Sequence, residues 1–167
     1  MTEPRDPERE TRSALDRLGL PYEVIPCDPQ FADTAAFCER YAHPLDHAGN
    51  TIIVASKKDP KKYAACVVTG TTRLDVNHTV KNLLGVSKVS FASAEEMTQL
   101  TGMLVGGATV FGLPADMPIF VDGRVMALDY VILGTGGRNG KIKIWPEVFR
   151  RLPSARVVQG LALERQG

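Results

Sequence analysis

The chain is poor in residues that would commit it to metal or disulfide chemistry. Three cysteines, Cys27, Cys38 and Cys66, stand among 167 residues at irregular spacing, with no C-x-x-C pair. An odd, scattered set argues for reduced thiols in a cytoplasmic protein and against a zinc site. The histidines, His43, His47 and His78, are equally scattered. His43 and His47 would share a helical face, but Pro44 breaks that helix, and no carboxylate cluster accompanies them. No metal and no cofactor is therefore expected. A strong charge of either sign is also missing, the formal net charge being +1. That excludes a global basic field for non-specific nucleic-acid binding and leaves a local basic patch open. No apolar run approaches the roughly 20 residues that span a bilayer. Met1 to Glu10 is polar and charged and does not read as a secretory signal. There is no G-x-S-x-G, no G-x-G-x-x-G and no G-K-[ST].

What remains fits a single domain with one sizeable core, at 44% hydrophobic and 23% charged residues. Residues 1–7 read as a flexible N-terminus, 8–160 as the domain and 161–167 as a polar tail. Helical spacing predicts helices over 8–18, 34–41 behind an Asp33 cap, 74–84, 94–100 and 146–152. Ser93 with Glu96 resembles a capping box, and Pro146 suits a first helical position. Thr51 to Ala55 and Tyr63 to Thr69 are apolar runs around a turn of four lysines, Lys57, Lys58, Lys61 and Lys62, and predict a hairpin. Further strands are expected over 21–26, 86–91, 119–121, 125–133, 141–145 and 155–158. The sum is an α+β fold, a mixed β-sheet of about six to eight strands, partly barrel-like and flanked by helices. Trp145 reads equally as an interface residue or a core residue.

Chemistry concentrates where glycine does. Thr101 to Pro114 holds four of the 15 glycines: Gly102, Gly106, Gly107 and Gly112. Met103-Leu104-Val105 reads as a strand that breaks at Gly106-Gly107 into a tight loop lined by backbone. Such a loop offers N–H and C=O groups to a small, mostly uncharged substrate, or else is a bend at a sheet edge. Gly134 to Gly140 carries Arg138, which either forks onto a phosphate or carboxylate or is a solvated arginine in a turn. Lys57 and its neighbours either grip phosphate or form a solvated hairpin tip. Cys66 sits in mid-strand and reads as core. No nucleophile and no acid–base pair emerges, so a substrate of this chain would supply part of its own chemistry.

Several ordered pieces resemble one family over roughly residues 8 to 160. They are Thr51-Ile-Ile-Val-Ala55, Ala64-Ala-Cys-Val-Val68, Leu74-Asp75 opening a helix that closes at Leu84-Gly85, Thr101 to Gly107 with Phe111-Gly-Leu-Pro114, Ile119 to Asp122, and Gly134-Thr-Gly-Gly-Arg138. The family is the YbaK / prolyl-tRNA synthetase-associated editing-domain family. The resemblance implies a trans-acting hydrolase that deacylates mischarged aminoacyl-tRNA. It also implies substrate-assisted chemistry by a terminal-adenosine hydroxyl and a water, with backbone groups placing the carbonyl. Gly106 and Gly107 would line the acyl pocket, with Thr51, Thr109 and Val110 beside the substrate. Asn50 would face the terminal adenosine, where relatives have lysine, and Val110 stands where their loop has proline. Arg138 and Lys57 would hold phosphate, a role that rests on charge and loop position. The partners implied are the tRNA 3′ end and a synthetase. Asn50 and Val110 point to a different substrate, to compensation by Lys57 or Lys58, or to a module that binds a small acyl or nucleotide ligand without hydrolysing it.

Overall fold

The computed structural model describes residues 5–165. Asp6 caps the first helix, α1 (Pro7–Leu18), by accepting the Arg9 N–H at 3.2 Å, and Gly19 ends it at φ 71°. Strand β1 (Tyr22–Pro26) and helix α2 (Thr34–Tyr41) follow. Asp33 occupies the cap position of α2, yet its carboxylate makes no cap hydrogen bond, being drawn to Arg138 instead. The expected hairpin is β2 (Gly49–Ser56) with β3 (Tyr63–Thr69), antiparallel from Gly49↔Thr69 to Ala55↔Tyr63.

Leu74, where a helix was expected to open, is instead the last residue of strand β4 (Thr72–Leu74). A π-helical turn, Val76–Val80, then leads into the short α3 (Lys81–Leu84). After β5 (Val89–Phe91), Ser93 caps α4 (Ala94–Thr101) by accepting the Glu96 N–H at 3.0 Å. Residues 103–105 form no strand; Met103 is buried, but Leu104 and Val105 face solvent and the chain turns. Strand β6 (Ile119–Asp122) runs into a single helical turn, α5 (Gly123–Met126), where a strand was expected. Strands β7 (Val131–Gly134) and β8 (Gly140–Ile144), a 3-10 helix at Pro146–Arg151, and strand β9 (Ala155–Val158) complete the predicted order. Part of the expected polar tail forms one more strand, β10 (Ala162–Glu164), which pairs with β4.

The described strands form three sheets: a mixed sheet in the order β5-β2-β3-β6-β9, a sheet β1-β8-β7, and the pair β10-β4. A parallel bridge, Ala48↔Ile132, links the first two. The strands do not close into a barrel. Strand β3 is buried from Ala64 to Thr69 because both its faces are covered, as in a central strand. Ala65 and Val67 pack with Leu15, Phe111 and Phe149 on one side. Ala64, Cys66 and Val68 pack with Val80, Leu84 and Leu161 on the other, the two-residue period of a strand. A third cluster, Phe37, Cys38, Ala48 and Ile132, lies between α2 and the two larger sheets.

Candidate functional site

The third cluster is the floor of a cavity of about 290 Å³. Strand β2 contributes Asn50, Thr51 and Ile52 to its wall, α2 contributes Thr34, Phe37 and Cys38, and the glycine loop contributes Gly106 and Ala108. Strands β7 and β8 close it with Leu133, Gly134 and Lys141. Asn50, Thr51 and Gly106, three of the expected site residues, are therefore brought together at one wall. The Asn50 side-chain oxygen accepts from the Thr34 hydroxyl, which leaves its amide donors for other partners.

The two glycine segments dock on each other. The Leu104 N–H donates to the Gly136 carbonyl at 2.9 Å and the Gly136 N–H to the Gly107 carbonyl at 2.7 Å. A Cβ on Gly107 would overlap the Gly137 carbonyl, so backbone packs on backbone here. Gly106 sits at φ 82°, which L side chains rarely adopt. Arg138 clamps this arrangement: Nη1 donates to the Val105 carbonyl at 2.7 Å and to Asp33 Oδ1 at 3.1 Å. Its Nε and Nη2 both donate to the Pro29 carbonyl, at 3.1 and 2.7 Å. The guanidinium is thus spent on the protein's own groups.

Other expected site residues fall elsewhere. Gly107 supports the loop from behind. Thr109 and Val110 lie in the core, Val110 beside Phe111, because the chain turns inward after Ala108. Lys57 is exposed at the hairpin tip, as is Lys58, and neither belongs to the cavity wall. Lys61 and Lys62 bind Glu96 and the Leu84 carbonyl, at 3.2 Å each. The hydroxyls of Thr51 and Thr109 are buried with no hydrogen-bond partner among the described residues.

Several wall residues were not anticipated, and Lys141 is the charged one that the glycine turn rests on. Lys141 is only 6% exposed, and its Nζ donates to the Gly106 carbonyl at 2.7 Å. It also lies 5.9 Å from the Phe37 ring centroid. Burial pushes its pKa below the ordinary lysine value. Burial also raises the thiols of Cys27 and Cys38, so Cys38 faces the cavity as a neutral thiol rather than a thiolate. Three successive carbonyls are consequently held from the protein side: Val105 by Arg138, Gly106 by Lys141 and Gly107 by the Gly136 N–H. The N–H groups of Gly106 and Ala108 meet no acceptor among the described residues. A carbonyl oxygen that gains negative charge is stabilised by such donors.

A second cavity, of about 330 Å³, shares Thr51, Ile52, Gly106 and Ala108 with the first. Its rim is apolar, with Phe91 59% and Val105 54% exposed. No group of three or more His, Cys, Asp or Glu able to hold a metal occurs among the described residues. No described helix is long and apolar enough to cross a membrane.

Comparison with solved structures gives two full-length likenesses. A candidate trans-editing enzyme for prolyl-tRNA synthetase superposes with a TM-score of 0.79 at 19% identity, covering 98% of this chain and 99% of that one. Hypothetical protein APE2540 superposes with a TM-score of 0.82 at 23% identity, covering 92% and 99%. At these identities the likeness is one of fold. No curated protein sequence matches the chain. The family's own pattern is matched across residues 28–152, and on that ground the chain belongs to the aminoacyl-tRNA editing domain family, of the YbaK type, as its motifs implied.

Proposed function

We propose that the chain is a trans-acting deacylase that hydrolyses the ester of mischarged aminoacyl-tRNA. The observation that carries this reading is the wall shared by the two cavities, Thr51 and Ile52 on one side and Gly106 and Ala108 on the other. In an aminoacyl-tRNA one ester bond joins the acyl group to the terminal adenosine, so their two sites must adjoin. The smaller cavity suits a small amino acid, and Asp33, the single carboxylate on its wall, suits the α-ammonium. The apolar cavity with Phe91 at its rim suits the adenine base, since base–aromatic stacking is tolerant of detail.

The chemistry is substrate-assisted. No wall residue pairs a nucleophile with a base, and an ester is already an activated acyl group. Water attacks the acyl carbon and the bond to the ribose oxygen breaks. The water's proton reaches that oxygen by way of the neighbouring hydroxyl, and free amino acid leaves. The Gly106 and Ala108 N–H groups receive the developing oxyanion, and the Asn50 amide holds the ribose end. Positioning supplies much of the barrier lowering. The cavity selects by size, within the roughly 1–3 kcal/mol that a methylene is worth. The small net charge, +1, favours weak affinity for tRNA alone, raised by a synthetase partner.

A second reading, a module that binds without hydrolysing, draws on Asn50, which brings no charge to the wall. Asn50→Lys separates the two. Hydrolysis in the wild type supports the deacylase. Hydrolysis that appears only in the variant supports the binding module.

A further inference from the structure

We infer that Lys141 is a positioning residue of this cleft: its ammonium pins the Gly106 carbonyl and so keeps the N–H groups of the Gly106–Ala108 turn facing the ester. The inference rests on the deacylase reading.

The first ground is the poor stability case for this lysine. Lysine is almost never buried unless paired. Among the described residues the ammonium of Lys141 has one hydrogen-bond acceptor, the neutral Gly106 carbonyl, and no carboxylate. Taking a cation out of water for one carbonyl costs more than it returns, and an apolar side chain of the same length would fill the space without that cost. The cation sits at the cavity wall, on the carbonyl of the glycine turn.

The second ground is the backbone it holds. In a peptide unit the C=O and N–H point in opposite directions, so fixing one fixes the other. Gly106 is at φ 82° and is followed by another glycine, so nothing in its own side chains resists rotation of the neighbouring peptide planes. Arg138 fixes the plane before Gly106, the Gly136 N–H fixes the plane after Gly107, and Lys141 fixes the plane between them. Without Lys141 the middle plane keeps a single tie, through its N–H, and flips more readily. The Gly107 N–H then loses the Leu104 carbonyl it meets at 2.9 Å, which closes the turn. Opening of that turn swings the two flanking planes, which carry the Gly106 and Ala108 N–H groups, away from the oxyanion.

The charge state gives the readout. The protonated amine is the strong donor. Burial lowers the pKa of Lys141, so the pin weakens at an alkaline pH below the ordinary lysine value of 10.5. The titratable and charged groups around it are Cys27 beyond β1, Cys38 and Asp33 at α2, and Arg138 in the glycine loop. The two thiols are the ones that titrate on the same side, and the double variant Cys27→Ala/Cys38→Ala removes them.

The experiment compares wild type, Lys141→Met and the double cysteine variant in single-turnover deacylation from pH 6 to 10, corrected for spontaneous ester hydrolysis. Lys141→Met should lose about 10²-fold in kcat, the scale of one misplaced oxyanion donor, with KM moving by less than about threefold. Its profile should lack the alkaline fall that wild type and the cysteine variant share. Its Tm at pH 7 should be equal or higher. Unchanged kcat, or a lower Tm with the alkaline fall intact, overturns the inference and leaves the deacylase reading standing. Inactivity of the wild type on every ester overturns both. If Lys141→Met does not fold, Lys141→Leu carries the same comparison.

Discussion

Arg138 reaches Asp33 at 3.1 Å with the same nitrogen that binds the Val105 carbonyl at 2.7 Å. One guanidinium thereby ties the start of α2 to the turn that lines the cavity. The pair itself is worth little in stability, since Asp33 is largely exposed. Its value is geometric. Arg138→Ala should reduce kcat about tenfold to a hundredfold, with a modest fall in Tm. Arg138→Lys should recover little, because a point charge cannot span the Pro29, Asp33 and Val105 acceptors that the fork joins. Single-turnover rates for both variants, beside melting curves, check this.

The glycine-on-glycine contact predicts a ranking. A Cβ on Gly107 meets the Gly137 carbonyl, and backbone there has no room to give. Gly107→Ala should destabilise by about 3 kcal/mol, the upper range for overpacking. Gly106→Ala meets the Arg138 and Asp33 side chains, which can move, and adds the strain of its positive φ. About 1–2 kcal/mol is expected there. Urea denaturation gives both values; an indifferent Gly107→Ala would contradict the packing described.

Phe91 is exposed at the rim of the second cavity. Phe91→Ala should raise KM for aminoacyl-tRNA about tenfold, within the 1–3 kcal/mol of a stacked base, and leave kcat nearly unchanged. Phe91→Trp should restore the wild-type KM. Equal KM values across the three proteins would remove the base from this cavity.

His47 lies between Asp46 and Asp129, at 2.8 Å from each. Burial works against its charged form, but the two carboxylates outweigh it and raise its pKa above 6.5. The protonated ring holds both aspartates, so its contribution is complete below the unfolded value of about 6.5. It is lost as pH rises through the higher folded value. The stability difference between wild type and His47→Gln should therefore be largest near pH 5.5 and shrink by pH 8.5. Denaturant midpoints at the two pH values test the sign.

The elements built from local signals were legible. The β2–β3 hairpin announced itself as two apolar runs around a lysine-rich turn, and Ser93 with Glu96 marked α4. Asn50, Thr51 and Gly106 could be singled out because β2 and the glycine loop each carried a piece of the family's pattern. Lys141 could not. Along Lys141-Ile142-Lys143-Ile144 the two lysines give the same alternating signal, and only the register of Lys141 with Ile25 and Gly134 puts it inside. Arg138 was visible as a charge, but its acceptors at Pro29 and Asp33 lie 109 and 105 positions away. Thr109 and Val110 adjoin a wall residue in sequence and still face the core. Strand β10 was missed because three residues carry too little pattern; its partner β4, far back in the chain, creates it.

The most direct test of the account is release of radiolabelled amino acid from a panel of aminoacyl-tRNAs, small residues first, with Asn50→Ala alongside. The account predicts hydrolysis of one or a few members, reduced by the substitution. No hydrolysis of any member by the folded protein would contradict it, and would leave a cleft that binds its ligand without cutting the ester.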